Sequence, residues 1–279
     1  MRLTHLNVHP VKSTAVRPLE RARVLARGLA DDRSWVVVDD QGVVVTAREA
    51  HELLAVRADT PTTDPDVPTA LRLRHDALDD LELGEPDGPL VRVRLFRNEL
   101  QGIAAGAEAD AWIGKALARD DVRLVWCDDP TRRVLNPAFS RPGDHTAYAD
   151  GYPVTIASRA SLRQLDDWLA EEAVSRGEEP PGPLPMHRFR PNLVVEGAEP
   201  FAEDGWREVR VGEVEFRVAK PVDRCVITTI DTTTLRTSKE PVRTLSRHRL
   251  VDGKPMFAVH LVPVGTGTIA VGDEVVVTG

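Results

Sequence analysis

The sequence predicts an α+β chain that is predominantly β. Val-rich runs that alternate in polarity occur in both halves of the chain, with VGEVEFRV (211–218) and IAVGDEVVV (269–277) the cleanest. Helical periodicity is confined to two middle segments, so strands and helices do not interleave as they do in a βαβαβ or doubly wound sheet. With 279 residues, 42% of them hydrophobic and 29% charged, the chain is long enough for one or two domains with cores of their own.

In chain order, LTHLNVH (3–9) alternates and reads as a strand. SWVVVDDQGVVVTA (34–47) is the clearest hairpin, two Val-rich runs around Asp39-Asp40-Gln41-Gly42. Short strands are expected at 53–57, 71–74 and 90–96, which together suggest a twisted, mostly antiparallel sheet or small barrel. Residues 60–69 hold three prolines and no helical period, hence a loop. A helix is expected over 107–118 and a strand over 122–126. The segment 128–152 is polar and rich in Pro and Gly, and loops of that length commonly carry function. Leu162, Leu165, Trp168 and Leu169 share one face of a helix over 159–173, with Ser158 at the N-cap position. The Pro-rich stretch 176–185 is a stiff linker. Further strands are expected at 192–196, 207–211, 213–219, 225–230, 256–262 and 269–277.

Composition bounds the function. The formal net charge of −8, from 36 basic and 44 acidic residues, argues against a broad nucleic-acid surface but leaves room for a local basic pocket. Cys127 and Cys225 are the only cysteines, which excludes a disulfide framework and points to a reducing compartment. The N-terminus lacks the apolar core of a secretory signal, and no apolar run approaches the ~20 residues that span a bilayer. A cytoplasmic protein with no membrane span is the expectation. No GxGxxG opens a helix, and GxxxxGK[ST], CxxC, HExxH and GxSxG are absent.

Several positions could carry chemistry. In PVDRCVITTID (221–231), Cys225 follows Arg224 at the start of a β-branched run. It is either a thiolate favoured by the neighbouring guanidinium, able to hold a metal, or a buried structural cysteine. Cys127, between Trp126 and Asp128, reads as structural. Lys12 and Ser13, after the first strand, would hold a phosphate as point charge and hydrogen-bond donor, or form an ordinary turn. Arg190 and Asn192 flank Pro191 and would present rigid donors, or belong to a surface turn. Ser158 opens a helix whose N-terminus is an anion site unless it caps itself. Arg33 precedes the hairpin. His260 lies in an apolar run and reads either as a site residue or as a core histidine.

Together and in this order, PVKS (10–13), DDRSWVVVDDQGVVVTARE (31–49), YPVTIASRASLRQL (152–165), FRPNLVVEG (189–197), FAEDGW (201–206), DRCVITTID (223–231) and GTIAVGDEV (267–275) resemble the MOSC proteins. Within that family the chain is similar to the mitochondrial amidoxime-reducing component and its bacterial counterparts. The resemblance covers essentially the whole chain. It implies an N-terminal β-barrel-like domain over 1–100 joined to a MOSC β-barrel domain with a few helices over 101–279. It also implies a molybdenum cofactor, in which the metal is held by the dithiolene of a phosphate-bearing pterin. By the same resemblance Cys225 is the metal ligand and catalytic residue, and Lys12, Ser13, Arg33, Ser158, Arg190, Asn192 and His260 bind the cofactor. A soft thiolate suits such a metal.

The implied reaction is a two-electron reduction of N-hydroxylated small molecules (amidoximes, hydroxylamines, N-hydroxylated bases). The chain ends at Gly279 without a cysteine set for an iron–sulfur cluster, so a separate electron-transfer protein is the expected partner. The first strand begins at residue 2, which implies a soluble protein. Two other functions remain open: a molybdenum-cofactor or sulfur carrier using Cys225, and a binding module with no cofactor.

Overall fold

The computed structural model describes residues 1–279. The first strands are β1 (Arg2–Val8), β2 (Arg17–Leu19), β3 (Arg21–Leu25), β4 (Gly28–Leu29) and β5 (Trp35–Asp39). Then come β6 (Arg57–Asp59), β7 (Leu71–His75), β8 (Leu78–Leu83), β9 (Leu90–Leu95), β10 (Asn98–Ala104), α1 (Ala107–Leu117) and β11 (Val122–Trp126). The remainder is β12 (Val154–Ser158), α2 (Arg159–Ser175), β13 (Leu193–Glu196), β14 (Glu208–Val211), β15 (Val214–Asp223), α3 (Val242–His248), β16 (Leu250–Val251), β17 (Lys254–Pro263), β18 (Gly267–Ala270) and β19 (Val275–Val277). The chain is predominantly β, as its patterning requires, and it divides into two compact units.

One unit comprises Met1–Asn7, Glu20–Leu25 and Val154–Gly279. Its main sheet runs in the order β19-β14-β15-β17-β12-β13-β1. All its pairings are antiparallel except β12 with β13, which α2 joins as a single βαβ crossover. α2 lays Leu165 and Leu169 fully against the sheet, with Leu162 and Trp168 partly buried beside them. That is the stripe the helical period marks, and burying each Leu contributes about 2 kcal/mol. Phe189 and Phe257 meet beneath it with ring centroids 4.1 Å apart.

The β15–β17 pair is irregular where it matters. Its register slips once between Val218 and Lys220 and again between Pro221 and Asp223. Ala258, inside the second slip, has a left-handed φ of 71°. Such bulges bend a strand and re-aim the residues beyond its end. Directly after β15 come Arg224 and Cys225.

The second unit comprises Val8–Leu19 and Ala26–Pro153. It holds the antiparallel sheet β5-β11-β10-β9 and the meander β6-β7-β8. The expected hairpin at 34–47 forms around Gly42, whose φ of 74° favours glycine, but its second arm makes only isolated bridges through Val43 and Val44. The core gathers Val36, Val38, Val93, Leu95, Val125, Cys127 and Tyr148.

Three strand expectations are corrected. Residues 269–277 are not one strand: β18 ends at Ala270 and pairs with β3, a turn follows in which Gly272 has a left-handed φ of 97°, and β19 begins at Val275 and pairs with β14. Residues 51–55 form a 3-10 turn rather than the start of a strand. The run 225–230 is not a strand either, because Val226–Thr229 form a 3-10 turn. The Thr228 hydroxyl donates to the Cys225 carbonyl at 3.0 Å and Thr229 to that of Val226 at 2.7 Å. These local bonds offer the backbone an alternative to the ladder that β-branched propensity would otherwise favour.

Candidate functional site

In the unit that contains β15, Cys225 is solvent-exposed and neither cysteine is in a disulfide. Cys127, in the other unit, is buried, and burial pushes its thiol up to about 11, so it stays protonated and structural. The Arg224 guanidinium, next in the chain to Cys225, donates to the Phe189 carbonyl at 2.7 Å and lies 5.5 Å over the Phe189 ring. Phe189 ends a 3-10 turn over Met186–Phe189 whose C-cap is Arg190, held at a left-handed φ of 52°. A non-glycine residue in that region is uncommon and marks a constrained turn. A second tie runs parallel, because Arg188 donates to Asp231 at 2.6 Å. The amides and hydroxyl of the Thr233–Thr234 turn, the Thr234 amide above all, hold the Asp231 carboxyl down at about 2, with Arg188 adding to them. The Arg190 turn and the Cys225 turn are thus braced twice.

Asn192, after Pro191, is a buried keystone rather than part of a surface turn. Its side-chain oxygen accepts from the Thr155 amide at 3.1 Å, and its Nδ2 donates to the Asn7 carbonyl at 3.1 Å. It therefore knits β12 to β1. His260 sits on β17 with Nδ1 3.3 Å from the Thr155 hydroxyl. Ser158 is buried and caps α2, its Oγ accepting from Ala160 at 3.1 Å. The chain's own anion also sits there: Glu203 accepts from Ser161 Oγ at 2.8 Å and from the Ser158 amide at 3.4 Å. Burial raises the Glu203 pKa against those bonds. The α2 N-terminus is self-capped.

In the other unit the segment 9–12 runs beside 33–35. The Lys12 amide donates to the Trp35 carbonyl at 2.8 Å, the Trp35 amide to the Pro10 carbonyl at 3.0 Å and the Arg33 amide to the His9 carbonyl at 2.8 Å. Ser13 and Arg33 are both left-handed, with φ of 70° and 48°. The Tyr148 amide donates to the Arg33 carbonyl at 3.1 Å, which draws the end of the long loop alongside.

Lys12 is only 3% exposed. Its Nζ donates to the Tyr148 carbonyl at 2.8 Å and to Asp150. Burial pulls its pKa down to about 8, against Asp150, which raises it. Arg33 pairs with Asp32, which also accepts from the His9 amide at 2.8 Å. Burial alone would raise the Asp32 carboxyl, but Arg33 and His9 hold it well below the usual range. Arg133 is buried and clamps the segment through the carbonyls of Ala147, Ala149 and Asp150. Asp150, Asp32, Arg133 and Arg48 escape a reading of the sequence, since Lys12 and Asp150 are 138 residues apart and nothing in spacing links them.

Comparison with known proteins settles the family. The profile of the MOSC N-terminal beta barrel domain matches residues 1–120 and that of the MOSC domain matches 143–276. Over 296 aligned residues the chain is 32% identical to mitochondrial amidoxime-reducing component 1 of Mus musculus, covering 99% of this chain and 82% of that protein. The chain belongs to the MOSC family. The human component 1 is likewise 32% identical, with 99% of this chain and 83% of that protein covered. Mitochondrial amidoxime reducing component 2 of Bos taurus is 31% identical over 292 residues, covering 98% and 82%. No helix of this MOSC protein is long and apolar enough to cross a membrane.

Proposed function

We propose that this MOSC protein binds a molybdenum cofactor and reduces N-hydroxylated compounds in the cytoplasm with electrons from a separate electron-transfer protein. The observation that carries the reading is the exposed Cys225, presented on a hydroxyl-built turn that Arg224 braces to Arg190. Relatives that span nearly the whole chain bear the name amidoxime-reducing component, which supports the reaction class.

The residues present fit the cofactor. No group of three or more His, Cys, Asp or Glu comes together to hold a metal, so a metal bound here would bring most of its ligands with it and take a single thiolate from the chain. The buried cations Lys12 and Arg133, with Arg33 and Arg48 beside them, suit a phosphate. When bound, the cofactor supplies a two-electron redox centre. For an amidoxime the balance is R–C(NH2)=NOH plus two electrons and two protons giving R–C(NH2)=NH and water.

In this reading Cys225 ligates the metal. Arg190, on its constrained turn, and Lys12, Ser13 and Arg33 hold the pterin and its phosphate. Asn192, Ser158 and His260 act as positioning residues, because their hydrogen bonds tie elements of the protein together: Asn192 fixes the strand from which Arg190 emerges, Ser158 fixes α2, and His260 holds Thr155.

The test is metal analysis of the full chain made in a host that synthesises the cofactor. Close to one molybdenum per chain, with benzamidoxime reduced by a chemical electron donor, is the expected result. A protein that retains the cofactor without turnover and passes it to an apo-enzyme is a carrier. A protein free of molybdenum under those conditions overturns the reading altogether.

A further inference from the structure

Around segment 146–150 four cations, Lys12, Arg33, Arg48 and Arg133, face two carboxylates, Asp32 and Asp150. The two carboxylates are held differently. Asp32 is enclosed, with a side chain 3% exposed, and is fixed by Arg33 and the His9 amide. The Asp150 side chain is 51% exposed. One of its oxygens pairs with Lys12 Nζ, the other is 4.0 Å from Arg48, and its own main-chain carbonyl is clamped by Arg133 at 2.8 Å. Lys12 itself has a side chain 4% exposed and a second bond to Tyr148, so it cannot follow a departing partner into solvent. The carboxylate is the member of the pair that is able to leave, by rotation about its own side-chain bonds with the backbone fixed.

We propose that Asp150 is a resident stand-in for the phosphate of the bound ligand: it neutralises Lys12 in the ligand-free chain and swings to solvent when a tetrahedral dianion takes its place. The proposal rests on the cofactor reading for the identity of that dianion, and it adds a competitor that sets how tightly the phosphate is held. The physical need is plain. A buried ammonium without a counter-ion is costly, so a site that must exist before its ligand arrives requires an internal anion. An anion at the surface meets that need without blocking the site permanently. With two more positive than negative groups around the segment, replacing one carboxylate by a dianion moves the cluster closer to neutrality.

The experiment titrates the cofactor-free full chain with sulfate, a dianion at that pH, by calorimetry at pH 6. That pH keeps Lys12 charged even when Asp150→Asn removes the group that opposes its burial. Asp150→Asn is expected to bind sulfate about tenfold more tightly than the wild type. The gain is expected to vanish in the Lys12→Met background. An equal gain in both backgrounds would mean a general charge effect and overturn the proposal, as would no gain, or no sulfate binding by either protein. A second readout needs no variant: in the wild type, sulfate should raise the titration midpoint of the Asp150 carboxyl, monitored by carbon-13 NMR, toward the ordinary carboxylate range. An unmoved midpoint at saturating sulfate overturns it too.

The cofactor-loaded chain separates the sources of the dianion. Asp150→Asn should retain its pterin longer on dialysis; tighter sulfate with unchanged pterin retention overturns the link to the cofactor. Molybdenum in the wild type with no sulfate effect leaves the function standing and removes the stand-in. The converse result removes the function and keeps the anion site.

Discussion

The Lys12 cluster and the Cys225 turn solve opposite problems. The first is buried and charge-dense, and every cation in it is met by a carbonyl or a carboxylate of the same unit. The second is exposed and nearly charge-neutral at its tip, built from threonine hydroxyls and braced from behind by Arg224. A group that grips a phosphate gains from exclusion of water, since its interactions strengthen as the local dielectric falls, but it must then carry its own counter-ions. A thiol that meets a metal has to stay reachable, and exposing one costs little. The difference predicts that substitutions in the two regions separate stability from function.

The largest expected effect is at the exposed tip. Cys225→Ala should lower benzamidoxime reduction at least about a thousandfold, while the melting temperature moves by less than about 2 °C, because an exposed side chain carries little packing energy. A matching fall in melting temperature would place Cys225 in the structural class instead. Behind that tip, and in the other cluster, the balance reverses. Arg133→Met removes three bonds to main-chain carbonyls, two of them buried, and should cost about 3 kcal/mol in urea unfolding. Arg224→Ala, which loses one carbonyl bond and the Phe189 ring contact, should cost about 1–2 kcal/mol. Lys at 224 would restore only part of it, since an ammonium does not stack on the ring as a planar guanidinium does.

Comparable in size to the loss of Arg133 is the pH dependence at Lys12. Its pKa in the folded chain, about 8, lies below the ordinary 10.5, so between those values the folded chain binds fewer protons than the unfolded one. This contribution to stability is therefore complete above about 10.5 and is lost as the pH falls to about 8. A comparison of wild type with Lys12→Met across that window isolates it. Anion binding runs the other way, weakening as the pH rises through about 8 and the ammonium loses its charge. The smallest effect is Thr228→Val, which gives up the 3.0 Å bond to the Cys225 carbonyl and should cost about 1 kcal/mol. If it also lowers molybdenum content, the shape of the turn matters to the metal as well as to the fold.

Much of this was legible in the sequence. The stripe of Leu165 and Leu169, the Ser158 cap and the long loop after Cys127 come from periodicity, capping chemistry and composition. Where legibility failed, a local rule was overridden. Val226–Thr229 have strand propensity, yet two hydroxyls turn the backbone into a 3-10 turn and leave Cys225 at its start. α3 was missed because Pro241 and a seven-residue length give little helical period. The Lys12–Asp150 pair was invisible for a different reason: residues so far apart in the chain meet only through the fold, and a single sequence records no such contact.

The central claim is that one thiolate of this chain holds the metal. X-ray absorption at the molybdenum edge, on protein made in a cofactor-competent host, counts the sulfur atoms around it. Where Cys225→Ser still carries cofactor, its metal should show one sulfur fewer than in the wild type. An unchanged sulfur count in that variant would contradict the account.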